Sequence, residues 1–272
     1  MINRVMNVRQ RTVTTIILAS GFLLLLIASG LYIDAEKIQL NFQMKNQEPS
    51  IEYPFGTDWL GRDMLLRTLK GLTLSFGVGV LAAFSSTGIA LVLSLISSAN
   101  KAADTAVTWL IDLFLSVPHV VTLILISFAA GGGFKGVVIG LALTHWPSLT
   151  RVLRAEVLQI TGAEYVGVSR QLGKPRLWIA RYHLFPHLLP QLLIGFLLMF
   201  PHAVLHEAAI TFLGFGLSTE TPAIGIILAE SMRYLSTGLW WLAVFPGLSL
   251  LIMVAMFDLL GRSVQKMIDP HN

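Results

Sequence analysis

The stretch GAEYVGVSRQLGKPRLWIARYHLFPHLLP, residues 162–190, decides the fold, because it is the one sizeable internal part of the chain in which charged residues alternate with apolar runs. The rest of the chain is strongly apolar. Of its 272 residues 54% are hydrophobic and 12% are charged, and the mean hydropathy is +0.72. Such a chain cannot present an ordinary soluble surface. We therefore expect an all-α integral membrane protein in which most of residues 162–190 lie outside the bilayer.

A short helix is predicted at the start of this stretch. Thr161 and Glu164 have the spacing of a capping box, which favours a helix start. Gly173 permits a left-handed exit, and Pro175 blocks continuation. The helix at residues 162–172 is then about 16 Å long at 1.5 Å per residue, which is too short to cross a bilayer.

One face of this helix is apolar. Tyr165, Val168 and Leu172 share that face by their i, i+3, i+7 spacing, while Glu164 and Arg170 lie elsewhere. A short amphipathic helix between membrane spans is suited to binding a soluble partner. An interfacial or re-entrant helix without a partner is the alternative.

Six transmembrane helices are predicted from the apolar runs. They are residues 13–33, 72–97, 105–130, 134–149, 187–214 and 240–260. Asp58 or Asp63 is expected to cap the second of them, and Asp258 in the last is expected to pair with a basic neighbour. The first is a retained anchor and not a signal peptide, since its apolar run exceeds a usual signal core and no convincing cleavage site follows. With the N-terminus inside, most of the 19 lysines and arginines face the cytoplasm. We therefore expect both termini and residues 162–172 in the cytoplasm, and residues 34–70 on the far side.

Several kinds of chemistry are excluded. The chain has no cysteine, which rules out disulfides, thiolate metal sites and cysteine nucleophiles. No run of basic residues indicates nucleic-acid binding. Residues 167–175 fail as a phosphate loop, because five residues separate the glycines and Pro175 stands where serine or threonine must reach magnesium. His202 and His206 lack the HExxH pattern of a zinc protease, since Ala203 follows His202.

Five short motifs follow one another along the chain. They are FGTDWLGRD at residues 55–63, EYVGVSRQLG at 164–173, HLFP at 183–186, EAAITFLGFGL at 207–217 and PAIG at 222–225. They resemble the LGTDxLGRD, EYVxAARxLG, IxLP, EAxLSFLGLG and PxxG signatures of permease subunits from the dipeptide, oligopeptide and nickel branch of bacterial ABC importers. The tail, residues 260–270, is similar to the family's LxGDxLRDxLDP.

The chain departs from this pattern at several positions. Gly167, Val168 and Ser169 stand where the family often has Glu-Ala-Ala. His183 replaces an isoleucine, and Arg262 replaces the usual tail aspartate. We expect the docking contact of the family's coupling helix to survive these changes with an altered salt-bridge pattern.

The resemblance implies the type I ABC importer permease fold with a cytoplasmic coupling helix, in the bacterial inner membrane. Residues 1–70 are then an anchor helix with an extracytoplasmic segment, and residues 71–272 the permease domain. The implied partners are a second permease subunit in a heterodimer, two ATPase subunits, an extracytoplasmic solute-binding protein and membrane lipid. ATP and magnesium are expected on the ATPase subunits, so the chain itself is expected to be no enzyme and to hold no cofactor. The residues implied to couple to an ATPase are Glu164, Tyr165, Val166, Gly167, Ser169, Arg170, Leu172 and Gly173.

His202, His206 and Glu207 lie within a predicted span, where ionisable groups usually face a partner or a wet path. Hydrogen bonding between helices is one interpretation, and contact with a metal-bearing solute is the other. Together with His145, these histidines resemble nickel and metallophore permeases. We therefore expect nickel, cobalt or a metal chelate as cargo, with His202, His206 and Glu207 on the translocation path. A dipeptide or oligopeptide cargo is the near alternative, and an ATP-independent channel or secondary carrier is the remote one.

Overall fold

The computed structural model describes residues 8–34, 38–218 and 221–268. Its regular elements in those ranges are helices, which confirms the all-α prediction. The α-helices are α1 Val8–Tyr32, α2 Met64–Ser97, α3 Lys101–Ser116, α4 His119–Ala129, α5 Gly133–Thr161, α6 Glu164–Gln171, α7 Arg176–Ile179, α8 Phe185–Phe212, α9 Ile224–Met232 and α10 Trp241–Ile268. A π-helical turn, Ala180–Leu184, joins α7 to α8. The end of the family-like tail, residues 269 and 270, lies outside the described residues.

The number of membrane spans differs from the prediction. Among the described residues four helical segments are long and apolar enough to cross a membrane. They are Arg9–Tyr32, Met64–Ser97, Arg176–Phe212 and Trp241–Ile268. The pair α3 and α4 makes a fifth only if the two helices count as one span, and they meet at an angle of 101°. The predicted count of six is therefore not confirmed.

Two predicted spans account for this difference. The span expected at residues 105–130 breaks at Pro118, because a proline disfavours the helical conformation of the residue before it, and Val117 is extended with φ −95° and ψ 141°. The span expected at residues 134–149 is only the first half of α5, which runs on to Thr161. Polar residues such as His145 keep α5 less apolar than the four spans.

The start of α2 lies eight residues before the predicted span, and a side-chain cap explains it. Asp63 Oδ1 accepts hydrogen bonds from the backbone N–H groups of Leu65 at 2.8 Å and Leu66 at 3.2 Å. These N–H groups have no partner within the helix, so the carboxylate stabilises the first turn. The prediction that Asp58 or Asp63 caps this helix is confirmed for Asp63.

The core of the bundle lies where α2, α8 and α10 meet. Phe200 of α8 is fully buried there. Its ring lies 3.8 Å from that of Phe257 in α10, stacked, and 4.9 Å from that of Phe76 in α2, tilted. Aromatic pairs at such distances add about 0.5–1.5 kcal/mol beyond their buried area. Phe200 therefore joins α8 to both α2 and α10 at one level of the bundle. The helix α5 also packs along α2.

Close packing of α2 against α8 requires a small residue at Gly79. A Cβ atom there would lie 2.9 Å from Cε2 of Phe200 and closer still to Cγ2 of Val204. Small residues let helix backbones approach in membranes, where association depends on van der Waals contact. Gly77, on the same helix, has open space around the position of a Cβ.

We expect Gly79→Ala to destabilise the protein by about 1–3 kcal/mol, since the added methyl overpacks the α2–α8 contact. The control Gly77→Ala adds the same methyl in open space and gains up to about 1 kcal/mol from helix propensity. Thermal unfolding of the purified full chain in detergent measures both effects. Equal melting temperatures for the two variants would contradict the close packing described here.

Candidate functional site

The helix α6 carries most of the residues expected to couple to a partner, but it begins differently from the prediction. The capping box is wrong: the Thr161 hydroxyl donates to the carbonyl of Leu158 at 3.0 Å, and Ala163 at the N-cap makes no side-chain cap bond. The reason is that α5 extends to Thr161, so this residue belongs to the preceding helix. The predicted exit is confirmed, since Gly173 has φ +76°.

The apolar face of α6 (Tyr165, Val168 and Leu172) is exposed, as the spacing predicts. Its side chains are 44%, 54% and 72% exposed, respectively. Val166 points the other way and is fully buried against the bundle. Three basic side chains of the same region are exposed too, Arg170, Lys174 and Arg176, and they line an open cavity beside Ile96 of α2. An exposed apolar face of this kind has the character of a protein-docking surface.

A polar contact fixes α6 to the start of α8. Ser169 Oγ donates to the carbonyl of Tyr165 at 3.0 Å and lies 2.9 Å from His183 Nε2 in the π-helical turn. The hydroxyl has a single hydrogen, which the carbonyl takes, so Nε2–H of His183 is the donor in the second bond. Ser169 and His183 are both departures from the family pattern, and they contact each other.

Aromatic rings enclose the same contact. The Tyr165 ring lies 5.2 Å from the His183 ring and 6.3 Å from that of His187 in α8. Trp178 in α7 lies 5.3 Å from His183 on another side. Sequence reasoning placed Tyr165 on the docking face but missed His183 as the residue that holds α6, because the two lie on different elements.

A second polar group, the histidine cluster (His119, His145 and His206), lies between α4, α5 and α8. Its ring centroids are 4.6 Å apart for His119–His145 and for His119–His206, and 5.2 Å for His145–His206. One nitrogen from each ring lies within 4.8 Å of the others. Sequence analysis named His206 and His145 but missed His119. The sequence did offer one sign of His119: it directly follows Pro118, and a polar residue beside a helix-breaking proline indicates an irregular, polar part of a bundle.

The other two residues expected on the translocation path are not among the three clustered histidines. His202 has an exposed side chain, and its carbonyl accepts from His206 Nδ1 at 2.8 Å. Glu207 is fully buried, and its Oε1 accepts from the Thr211 hydroxyl at 2.9 Å. Thr211 Oγ1 in turn accepts from the backbone N–H of Leu217 at 3.2 Å. Glu207 therefore stabilises the turn that ends α8.

A third group, the ion-pair cluster (Asp58, Arg62, Arg67 and Glu230), joins the 55–63 motif to α9. Asp58 is fully buried, and its Oδ2 lies 2.6 Å from Arg62 Nε and 3.1 Å from Arg67 Nη1. Arg67 Nη2 continues to Glu230 Oε2 at 2.6 Å. Asp58 Oδ1 also accepts from backbone N–H groups of its own loop. The cluster was not predicted, because Glu230 is 163 positions from Arg67.

We expect Asp58→Asn to cost about 3 kcal/mol of stability, since it leaves Arg62 and Arg67 without the buried carboxylate that pairs them. The matched control is Asp112→Asn, which breaks an ion pair with Arg151 whose side chains are 61% and 59% exposed. An exposed pair contributes only about 0.2–1 kcal/mol. Melting temperatures of the two variants measure the difference, and a smaller loss for Asp58→Asn than for Asp112→Asn would contradict the role of the cluster.

Comparisons with a family model and with individual proteins point to the same family. The sequence model described as "Binding-protein-dependent transport system inner membrane component" matches residues 76–272. A putative peptide transport system permease protein of Brucella suis is 31% identical over 229 residues, which cover 84% of this chain and 77% of that protein. The dipeptide transport system permease protein of Bacillus subtilis is 29% identical, covering 83% of this chain and 71% of that one.

Two further comparisons agree. The di/tripeptide transport system permease protein of Pseudomonas aeruginosa is 32% identical over 217 residues, covering 79% of this chain and 71% of that protein. Among solved structures, a chain of the methionine ABC transporter MetNI in an inward-facing conformation shares the fold with a TM-score of 0.61 at 20% identity. The match covers 74% of this chain and 96% of that one. The fold is therefore that of a type I ABC importer permease.

Proposed function

Because the chain belongs to the family of binding-protein-dependent transport system inner membrane components, as a multi-pass permease subunit of an ABC importer, we propose that α6 is its coupling helix. In this proposal α6 and both termini face the cytoplasm, and α6 docks in a groove on one of two ATPase subunits. Those subunits bind ATP and magnesium. A second permease completes the translocation pathway, and a binding protein delivers the solute from the other side.

The observation that carries this proposal is that one side of α6 is exposed while its other side is held to the bundle. Val168 and Leu172 of its apolar face are more than half exposed and open to a partner, while Val166, the Tyr165 ring and the Ser169–His183 contact hold the helix to the bundle. A helix that is fixed on one side and docked on the other transmits a partner's movement as a rigid body. Through the π-helical turn that movement reaches α8, which runs unbroken to Phe212.

For the solute we propose a peptide. The relatives named for peptide and dipeptide transport support this class, and they support it better than the nickel or metallophore cargo that the histidines led us to expect. A metal ion or metal chelate is the second candidate. The observation that favours it is the histidine cluster between α4, α5 and α8.

The docking role is tested by introducing a charge into the apolar face of α6. We expect Leu172→Asp to weaken association with the ATPase subunits at least tenfold, about 1.4 kcal/mol, because a carboxylate would be buried without a partner. Leu40→Asp is the matched control, because Leu40 is also exposed but belongs to residues 34–70, which are predicted to lie on the extracytoplasmic side. Co-purification from detergent extracts measures the effect. Equal ATPase recovery with both variants would contradict docking through α6.

The solute class is tested by uptake into vesicles that hold the complete importer. Labelled dipeptides, Ni²⁺ and a nickel chelate are compared side by side, with and without ATP. We expect ATP-dependent accumulation of dipeptide. Accumulation of nickel alone would favour the second candidate, and uptake that is independent of ATP and of the ATPase subunits would contradict the importer itself.

A further inference from the structure

The histidine cluster brings three imidazoles to one point from three separate helices. His119 is the first residue of α4, directly after the bend of 101° that separates α3 from α4. His145 lies near the middle of α5, and His206 lies in the last third of α8. One nitrogen from each ring lies within 4.8 Å of the other two. Convergence of this kind inside a helix bundle is how metal sites in helical proteins are built.

Backbone carbonyls set the orientation of two of these rings. His145 Nδ1 lies 2.9 Å from the carbonyl of Leu141, and His206 Nδ1 lies 2.8 Å from that of His202. A carbonyl only accepts hydrogen bonds, so each Nδ1 carries the hydrogen and each neutral ring presents a free lone pair on Nε2. Metal-binding histidines usually donate their other ring N–H in this way, which fixes the tautomer and the ring direction.

Two of the three rings have a nitrogen without a hydrogen-bond partner in the described part of the protein. Nε2 of His119 and Nε2 of His145 are both buried without a hydrogen bond. A buried polar atom without a partner costs free energy. A cation with three open coordination positions would take up both of these nitrogens together with the lone pair that His206 presents on Nε2.

We propose that His119, His145 and His206 together bind one divalent transition-metal ion. The inference goes beyond the proposed function, because it stands whether the imported solute is a peptide or a metal chelate. Among the described residues no carboxylate joins the three nitrogens. An all-imidazole donor set suits Zn²⁺, Cu²⁺, Ni²⁺ or Co²⁺, whereas Mg²⁺ and Ca²⁺ prefer oxygen ligands.

The geometry fits such an ion after a small inward movement of the rings. Metal–nitrogen bonds of about 2.0–2.1 Å place three ligand nitrogens about 3.3–3.6 Å apart. Since the nitrogens lie within 4.8 Å of one another, they have to approach by at most about 1.5 Å, and His119 can follow because it begins a short helix beyond a break. Three protein ligands leave a fourth position open for water or for a donor atom of a solute.

The test uses Co²⁺ as the probe, because its visible ligand-field absorption reports the geometry of a bound ion. The complete importer is purified in detergent and titrated with CoCl₂, with MgCl₂ as the ion control. We expect one equivalent of Co²⁺ per chain with the intense absorption of a nitrogen-ligated, low-coordinate ion, a rise in melting temperature, and no response to Mg²⁺. Failure to bind Co²⁺, or binding without an effect on melting temperature, would overturn the proposal.

Substitutions locate the site. We expect His119→Ala, His145→Ala and His206→Ala each to weaken Co²⁺ binding at least tenfold. The control is His187→Ala, on α8 with the same Nδ1 bond to the carbonyl four residues earlier, in this case that of His183 at 2.9 Å. It should bind Co²⁺ as the unaltered chain does. Unchanged affinity in all three cluster variants, or equal loss in His187→Ala, would overturn the assignment.

The metal-free melting temperature of each variant separates loss of a ligand from loss of the fold. If the three variants are unstable, the Co²⁺ titration of the unaltered importer still shows whether the metal site exists. Recovery of the ATPase subunits and ATP-dependent uptake are measured on the same preparations. An importer that takes up peptide but does not bind Co²⁺ refutes the metal site alone, whereas Co²⁺ binding without ATPase recovery or uptake refutes the importer proposal alone.

Discussion

The hydrogen bond between His183 and Ser169 is the contact on which the rest of the account depends. It joins α6, whose apolar face is exposed, to the π-helical turn that leads into α8. From there α8 runs through Phe200, the residue that ties α2, α8 and α10 together, to His206 in the histidine cluster. One continuous helix thus connects a docking surface, the packed core and a polar site within the bundle.

A membrane imposes a second constraint, because backbone groups in hydrocarbon must find partners within the protein. Interruptions of helices are tolerated only where surrounding structure satisfies the freed groups. Each residue of the histidine cluster lies within five positions of a proline, namely Pro118, Pro147 or Pro201. The polar site therefore lies beside one helix break, at Pro118, and beside two prolines inside the continuous helices α5 and α8.

The sequence predicted features that depend on neighbouring residues. The cap at Asp63, the left-handed exit at Gly173 and the exposed face of α6 all follow from local spacing and are confirmed. The pairing expected for Asp258 is also found, with Arg262 one turn away at 2.8 Å. Features made by distant residues were missed: the Arg67–Glu230 ion pair and the contact of His119 with His206 arise only when the helices pack. The break at Pro118 falls inside residues 105–130, which were predicted as one span, and its angle of 101° depends on packing as well.

The central claim is that α6 and α8 move as one unit when ATP binds. The chain has no cysteine, so a spin label can be placed at single sites, and an open cavity lies between the α6–α7 region and Ile96 near the C-terminal end of α2. Pulsed electron paramagnetic resonance then compares two distances in the complete importer, from Gln171→Cys, an exposed position of α6 outside the apolar face, to Leu213→Cys and to Ile96→Cys. The account predicts that ATP leaves the first distance unchanged and alters the second. A change in the first distance with the second constant would contradict it.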